Sequence, residues 1–275
     1  MGVGGVAEGA GAFPQFDPDR PSVARMHDWL LDGRNNYDSD RLAGEELLRI
    51  APGARELARS NRAFLVRVVR HIATRYGIRQ FLDHGSGLPT RKNVHQVAQA
   101  VHRDCKVVYI DNDPMVLSYG RALLDENPNV TILPADLVDT AKIRAGVQDR
   151  IDFSRPVAAL FVSVLHCLPD SKDPRAVIER TVRQLAEGSV VVACQLVSGS
   201  GRIRRQVTDL MTERTGGRWG QVRTEEEVRR FFDIDRLTVQ APGLLDVARW
   251  EPDSAPPTRR AAGEWVEFGG LATVE

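Results

Sequence analysis

The stretch RQFLDHGSGLPT, residues 79–90, decides the fold. A short apolar run ends at Asp83, the glycines Gly85 and Gly87 follow, and a helical pattern begins soon after. Glycines in such a turn let the backbone approach a ligand without a side-chain clash. The third glycine of a dinucleotide-binding turn is absent, which argues against a pyrophosphate at this helix N-terminus. The stretch therefore predicts a ligand-binding strand–turn–helix unit, with an ordinary turn as the alternative.

Downstream of this unit, short apolar runs alternate with helical patterns. The run at 156–165 is apolar almost throughout, which is typical of a strand buried on both faces. The alternation predicts an α/β protein with a Rossmann-like, doubly wound, mostly parallel sheet and helices on both faces. In such a sheet the ligand lies at the carboxyl ends of the central strands. Seven strands are expected, at residues 79–84, 106–111, 129–134, 156–165, 189–197, 237–250 and 264–274.

Upstream of the same unit, the chain carries helical patterns and no strand signal. Apolar residues recur at helical spacing from Val23, and Ser22 is expected to cap this first helix. The N-terminal residues are rich in glycine and alanine. We therefore divide the chain into a flexible tail (1–20), a helical extension or lid (21–76) and an α/β domain (77–275).

The overall composition excludes several classes of protein. Lys and Arg number 37 and Asp and Glu number 37, so the formal net charge is +0, which argues against binding to nucleic acid phosphates. No apolar run is long enough for a membrane span, and the N-terminus lacks the basic start of a signal peptide. Cys105, Cys167 and Cys194 form no CxxC pair, so neither a metal site nor a disulfide is expected. Reduced thiols favour the cytoplasm, and the helical extension offers a surface for a homodimer.

Carboxylates follow the second and third predicted strands. Asp111 lies about 24 residues beyond the glycine turn, near the interval of an acid that accepts hydrogen bonds from ribose hydroxyls. Asn112 and Asp113 could assist it, or one of them caps the next helix. Asp136 can accept from the amino group of an adenine while Leu137 covers the ring. A helix cap is the alternative role for Asp136.

Several stretches together resemble one family, the bacterial S-adenosyl methyltransferases (DUF574). They cover most of residues 20–250 and are more specific together than any single motif. The matching stretches are RPSVARMHDWLLDGRNNYDSDR (20–41), LARSNRAFLVRVVR (57–70), GIRQFLDHGSGLPTRKNVHQVAQ (77–99), VVYIDNDPMVLSYGRALL (107–124), VAALFVSVLHCLPD (157–170) and APGLLDVARW (241–250).

The resemblance implies a class I methyltransferase fold whose last strand is antiparallel, with S-adenosylmethionine as the cofactor and a helical extension over it. Asn61 and Arg62 would contact the cofactor carboxylate or brace the lid. The cofactor-binding residues that it implies are Asp83, Gly85, Ser86, Gly87, Asp111, Asn112, Asp136, Leu137, Ser163, Arg25 and Tyr37. Ser163, Val164, Leu165 and His166 would line the end of the fourth strand, and Asp28 and Arg41 would lie in the lid.

The chain departs from the family pattern at two places. His84 stands where the family turn, DIGTGLPT or DLGSGLPT, has an apolar residue. The lid reads HDWLLDGRNNY at 27–37, where the family resembles YDYLLGGKDNF, so that His27, Trp29 and Asp32 differ. Both departures fall where cofactor and substrate are expected to meet.

Three histidines are candidate general bases for methyl transfer. His166 follows the fourth strand and is the first candidate, and His84 and His27 come next. For each, the alternative is a structural histidine bonded to the backbone. Trp29 and Tyr37 are candidates to face the cofactor's sulfonium, or else to pack within the lid.

The sequence thus favours an S-adenosylmethionine-dependent methyltransferase that acts on a small molecule in specialised metabolism. One alternative keeps the cofactor and transfers its aminocarboxypropyl arm, or cyclises that arm with release of methylthioadenosine. The other alternative is a non-catalytic regulatory protein that binds the cofactor.

Overall fold

The computed structural model describes residues 16–124, 127–251 and 265–275. Of the predicted tail (1–20), residues 1–15 lie outside the described residues. The helices are α1 (Val23–Leu30), α2 (Asp38–Ile50), α3 (Ala54–His71), α4 (Val94–Val101), α5 (Pro114–Leu124), α6 (Thr140–Val147), α7 (Pro174–Val182), α8 (Gly201–Arg214) and α9 (Glu225–Arg229). The strands are β1 (Gln80–His84), β2 (Lys106–Asp111), β3 (Val130–Pro134), β4 (Ala158–Val162), β5 (Val190–Ser198), β6 (Leu237–Val239), β7 (Leu245–Asp246) and β8 (Trp265–Val274).

One sheet organises the fold, with the strand order β3-β2-β1-β4-β5-β8-β6 and β7 paired to β8. β1 to β5 are parallel, and β8 runs antiparallel to β5. The predicted Rossmann-like class I architecture is therefore confirmed. The count differs from seven because the stretch expected as the sixth strand, 237–250, breaks into β6 and β7. Gly243, with φ of +95°, lies in the turn between them, a conformation that glycine adopts without strain.

Apolar side chains of the sheet pack against helices on both faces, because successive residues of a strand point to opposite sides. Phe81 packs in a core with α3 and α4, and Leu82 packs in a core with α6, α7 and α9. Every residue of β4 is buried, as its apolar run predicts. The sequence analysis missed α6, a short helix whose first turn is capped by the Asp139 carboxylate at 3.1 Å from the Lys142 amide. No described helix combines the length and the apolar character of a membrane-spanning segment.

The helical extension packs over the carboxyl ends of the strands. Met26 and Leu47 share an apolar cluster with Met211, Trp219 and Trp265. A bidentate ion pair between Arg214 on α8 and Glu46 on α2, with N–O distances of 2.8 and 3.0 Å, lies at the edge of this contact. The second half of α3 instead packs in the core of the sheet, so that α1, α2 and the first half of α3 form the cover.

Ser22 differs from its predicted role. Its side chain makes no capping hydrogen bond to α1. The hydroxyl instead donates to the Asp113 carboxylate at 2.6 Å, and the Ser22 amide donates to the buried Asp40 carboxylate at 2.9 Å. The residue therefore connects the extension to the loop after β2.

Candidate functional site

A cavity of about 460 Å³ lies between the sheet and the extension. It opens at the carboxyl ends of the parallel strands, where ligands of such sheets bind. Its floor is formed by the loops after β1 to β4, within residues 83–90, 110–113, 135–138 and 162–172. Its roof is formed by the extension, within residues 21–65, and its wall by residues of 196–219 together with Trp265 and Glu267.

The glycine turn after β1 shapes the floor. Gly85 has φ of +69°, and a Cβ there would lie 2.1 Å from the Val164 side chain. Gly87 has φ of +65° and donates its amide to the Asp111 carboxylate at 2.9 Å. Left-handed backbone at both positions favours glycine. Gly85, Ser86 and Gly87 all line the cavity, as expected.

Asp83 places a buried carboxyl group at the start of this turn. Burial raises its pKa to about 7; the charge of Arg62 opposes this shift, and that of Asp111 adds to it. Arg62 also lines the cavity, but its guanidinium donates to the Lys92 carbonyl at 2.7 Å. A buried carboxylate with a raised pKa is stabilised by any cation that binds next to it. The position suits the ammonium group of an amino acid ligand.

Asp111 ends β2 at the cavity. Its two oxygens accept the amides of Gly87 and Asp113, each at 2.9 Å. Burial raises its pKa to about 6 despite these hydrogen bonds. Of the two neighbours, Asp113 caps α5 by accepting the Met115 amide at 2.8 Å, and Asn112 is exposed at the cavity. Each carboxylate oxygen has a second lone pair with which to accept from a sugar hydroxyl.

Asp136 and Leu137 follow β3 and line the cavity. The Asp136 carboxylate accepts the Val138 amide at 3.1 Å. The cap of α6 is Asp139, so the alternative role of helix cap does not apply to Asp136. An exposed carboxylate beside a half-buried leucine is compatible with binding an adenine.

Two of the three candidate histidines line the cavity. Burial lowers the pKa of His27 to about 4 and that of His166 to about 3. The His166 ring packs against Trp219 at an interplanar angle of 36°, with centroids 4.6 Å apart, and its Nδ1 accepts the Leu196 amide at 3.5 Å. Both rings are therefore neutral at pH 7, and each is a weak proton acceptor there.

The structure does not bring His84 to the cavity. Because Asp83 points into the cavity, the next residue of β1 points to the opposite face. The His84 ring is 1% exposed and stacks on Phe161 at 4.2 Å. Its Nδ1 lies 3.2 Å from the Leu160 carbonyl. The interpretation of His84 as a general base is therefore wrong, and its role is in the core.

Two predicted ligand residues of the lid, Arg25 and Tyr37, also lie away from the cavity. Arg25 is 3% exposed and pairs with Asp40 at 2.8 Å. Its guanidinium stands 5.4 Å from the centre of the Tyr37 ring and 5.5 Å from that of Phe16. These side chains brace the extension from outside and contribute no atom to the cavity.

The other lid residues divide between cavity and surface. Trp29 packs against Gly44, with Arg55 at 4.0 Å from its ring centre, so it does not face the cavity. Asp32 pairs on the surface with Arg55 and Arg59. Asp28 does line the cavity, and its carboxylate also accepts the Asn35 amide at 2.8 Å. The lid departures at Trp29 and Asp32 thus lie outside the site.

The wall holds a carboxylate that the sequence analysis missed. Glu267 on β8 lines the cavity, is 3% exposed and accepts the Ser163 hydroxyl at 2.5 Å. Burial raises its pKa to about 7. An acidic residue inside the apolar stretch WVEFGGLATV is a signal that could have identified it, because unpaired carboxylates are seldom buried without a function.

An arginine in the segment between α8 and α9 was also missed. The Arg223 guanidinium is buried and donates to the carbonyls of Leu165 and Leu168, at 3.1 and 2.8 Å. It thereby fixes the loop after β4, which carries His166. Its charge adds to burial in lowering the pKa of His166.

The three cysteines are free thiols and lie apart from any cluster of metal-binding side chains among the described residues. Cys105 and Cys194 are buried, and Cys167 lines the cavity. Burial raises the pKa of Cys167 to about 12, so it is protonated at pH 7. Within the described residues, no group of three or more His, Cys, Asp or Glu side chains could hold a metal ion.

Comparisons with known proteins agree with this geometry. The family described as S-adenosyl methyltransferase matches residues 10–275. A crystal structure from Thermobifida fusca YX, described as that of a candidate methyltransferase, is 38% identical, covers 94% of this chain and 96% of that chain, and has a TM-score of 0.84. A DUF574 family protein from Streptomyces avermitilis MA-4680 is 30% identical, covers 94% and 99%, and has a TM-score of 0.83.

A more distant likeness concerns the fold alone. The mitomycin 7-O-methyltransferase MmcR is 16% identical, with coverage of 94% of this chain and 73% of that chain and a TM-score of 0.50. No curated protein matches the chain. The family match and the two close structures show that the chain belongs to the S-adenosyl methyltransferase family, the S-adenosylmethionine-dependent transferases whose cofactor the floor of this cavity suits.

Proposed function

We propose that the protein transfers the methyl group of S-adenosylmethionine to a small molecule. The observation that carries this proposal is the cavity beneath the helical extension: its volume of about 460 Å³ lies within the roughly 300–1,000 Å³ of small-molecule sites. The chain's own extension roofs it, so an acceptor must fit beneath α1 and α2. A polymer would need an open groove instead.

The floor residues would hold the cofactor. Asp83 would bind its ammonium group, Asp111 with Asn112 its ribose, and Asp136 with Leu137 its adenine. When bound, the cofactor supplies an electrophilic methyl group on a sulfonium. The glycine turn brings backbone amides to the cavity where a larger residue at 85 would collide with Val164. Alignment of two bound reactants supplies a large part of the rate of such a displacement.

The remaining space belongs to the acceptor. Its surface is mostly apolar, with methionine, leucine and tryptophan side chains from roof and wall. Such a lining favours a molecule with rings or other apolar bulk, as in specialised metabolism. The lining residues of this acceptor space are Met26, Leu30, Leu47, Leu57, Met211, Trp219 and Trp265.

The alternative chemistry on the aminocarboxypropyl arm has lost part of its motivation. It rested on two departures from the family pattern, and His84, Trp29 and Asp32 lie away from the cavity. His27 alone of these lines it. Family membership likewise supports turnover over a purely regulatory role. A cytoplasmic location and a homodimer stay predictions from the sequence, as does the absence of nucleic acid partners, which the zero net charge supports.

Product analysis tests the proposal. The protein is incubated with S-adenosylmethionine and a library of small hydroxyl and amine compounds, and the nucleoside product is identified by mass spectrometry. We expect S-adenosylhomocysteine together with a methylated acceptor. Methylthioadenosine above the non-enzymatic rate would instead indicate chemistry on the arm. Saturable binding without either product would overturn the proposal.

Two variants serve as controls in this assay. Asp111→Ala should weaken cofactor affinity by about 2 kcal/mol, since hydrogen bonds to a charged group are lost. Glu213→Gln changes a carboxylate that is 74% exposed on α8 and should behave as the wild type. Unchanged cofactor affinity of Asp111→Ala in calorimetry would remove Asp111 from the site.

A further inference from the structure

A buried polar cluster stands where the wall meets the floor. Glu267 on β8 accepts the Ser163 hydroxyl at 2.5 Å and lies beside the Cys194 thiol of β5. Asn61 of α3 in turn contacts the Cys194 sulfur at 3.4 Å. Glu267, Ser163 and Asn61 all line the cavity. The cluster therefore brings together residues of the wall, the floor and the roof at the cavity, and Glu267 is its one carboxyl group.

One oxygen of Glu267 has no hydrogen-bond partner. The residue is 3% exposed, and no donor among the described residues reaches its Oε2 atom. A buried carboxylate oxygen without a donor is unfavourable, and native proteins rarely leave one unsatisfied. In a residue that lines a ligand cavity, such an atom marks a place where the ligand itself donates.

The backbone of Ser163, whose hydroxyl donates to Glu267, also marks this part of the cavity as a site. Ser163 has φ of +58°, a left-handed conformation that is uncommon for non-glycine residues and costs free energy. This conformation follows directly on β4, and the Ser163 amide donates to the Cys194 carbonyl at 3.0 Å. The strained residue thus holds the hydroxyl that orients the carboxyl group of Glu267.

The histidines of the cavity are less suited to receive a proton. His166 uses Nδ1 to accept the Leu196 amide, and burial lowers the pKa of His166 to about 3 and of His27 to about 4. Burial raises the pKa of Glu267 to about 7, with Ser163 and Cys194 opposing the shift and the charge of Asp246 adding to it. A base is most effective when its pKa lies near the working pH.

We propose that Glu267 binds the O–H or N–H group of the acceptor through Oε2 and removes its proton during methyl transfer. This inference rests on the proposed function and gives it a substrate class: apolar, ring-bearing molecules with a neutral hydroxyl or N–H nucleophile. The proton moves to Glu267 Oε2, and a lone pair of the nucleophile forms the bond to the methyl carbon. The bond from that carbon to sulfur breaks, and its electron pair stays on sulfur.

Ligand binding tests the inference without turnover. The probes are 2-naphthol and 2-methylnaphthalene, which match in size and differ by the hydroxyl donor, each titrated in the presence of S-adenosylhomocysteine. We expect the wild type to bind 2-naphthol roughly ten- to hundredfold more tightly, as for a hydrogen bond to a charged group. Glu267→Gln should lose this preference, because its amide can place an N–H where Oε2 stood. Glu213→Gln should keep it.

Two results of the binding experiment would overturn the assignment. One is a wild type that binds the two probes equally, and the other is a preference that survives in Glu267→Gln. Two controls show whether the variant is folded. Its circular dichroism spectrum should match that of the wild type, and its affinity for S-adenosylhomocysteine in calorimetry should agree with the wild type within about twofold.

Turnover then separates this inference from the proposed function. With an acceptor found in the product assay, Glu267→Gln should lower kcat by about a hundred- to ten-thousandfold. The wild-type rate should rise with pH up to about 7, and the variant should lose this rise. If the variant forms S-adenosylhomocysteine as fast as the wild type, the role of Glu267 is overturned and the proposed function is kept. No methyl transfer to any acceptor would overturn the proposed function, while the naphthol preference would still decide whether Glu267 binds a donor.

Discussion

The floor and the roof of the cavity are built by different means. On the floor, the turn 85–87 and Asp111 interact through hydrogen bonds between neighbouring strand ends, such as Gly87 to Asp111 at 2.9 Å. In the roof, a buried ion pair between Arg25 of α1 and Asp40 of α2 holds the two helices together. The floor therefore depends on backbone geometry, and the roof depends on side-chain pairs between segments. Substitutions in each region should fail in different ways.

The largest effect is expected in the roof. Asp40 is fully buried and accepts from Arg25 at 2.8 Å and from the amides of Ser22 and Tyr37 at 2.9 Å each. Asp40→Ala leaves the Arg25 cation buried without its partner, which costs about 3–5 kcal/mol. Chemical denaturation should show this loss in the free energy of unfolding.

The matched control for this variant is Asp38→Ala. Asp38 is 89% exposed and pairs with Arg41 on the surface, so its removal should change stability by less than about 1 kcal/mol. Equal effects of the two substitutions would show that the buried pair does not organise the roof.

The next effect concerns the floor. Gly85→Ala would place a Cβ 2.1 Å from Val164 in a backbone with φ of +69°, which should cost about 3 kcal/mol through strain and overpacking. Gly87→Ala has the same sign of φ but meets nothing within 4 Å, so about 1 kcal/mol is expected. Denaturation midpoints compare the two. A Gly87→Ala variant as unstable as Gly85→Ala would contradict the role of Val164.

A smaller, pH-dependent effect is expected at Asp83. The pKa of its buried carboxyl group is raised to about 7 from an ordinary value of 3.8, so the folded state binds more protons than the unfolded state between these values. The ionised group thus destabilises the ligand-free fold above pH 7, and this cost disappears as the pH falls toward 4. Asp83→Asn should be more stable than the wild type at pH 8 and similar to it at pH 4.

Two measurements check the Asp83 prediction. Urea denaturation at pH 8 and at pH 4 gives the difference in stability, and calorimetry gives cofactor affinity, which the variant should lose at pH 8. A stability difference that does not change with pH would show that the Asp83 carboxyl group does not titrate as stated.

The smallest effect is expected where roof meets floor. Ser22→Ala removes the hydroxyl that donates to Asp113 at 2.6 Å and should cost about 1 kcal/mol. Asp113 still caps α5 through the Met115 amide. Hydrogen exchange should therefore show faster opening of α1 with α5 unchanged. Faster exchange in both helices would mean that Ser22 acts through the cap of α5.

The sequence by itself determined the sheet and most of the floor. Apolar runs and glycine turns are local signals, and β2 begins and ends at the residues expected, Lys106 and Asp111. Residues at the ends of parallel strands must meet at one edge of the sheet, so Asp83, Asp111 and Asp136 were found without coordinates. Their roles as cofactor ligands are predictions that the proposed experiments test.

Only the tertiary structure decided which side chains of the extension and of the last strand face the cavity, and which side chain of β1 does so. His84 and Asp83 are neighbours in sequence, yet one stacks on Phe161 in the core and the other lines the cavity. Arg25 turned away to meet Asp40, and Glu267 entered the site from the last strand, beside Ser163. These placements depend on pairings between residues that are far apart in the chain. A carboxylate inside an apolar strand marks Glu267 in the sequence, but no local pattern gives the partner or the cavity that its side chain faces.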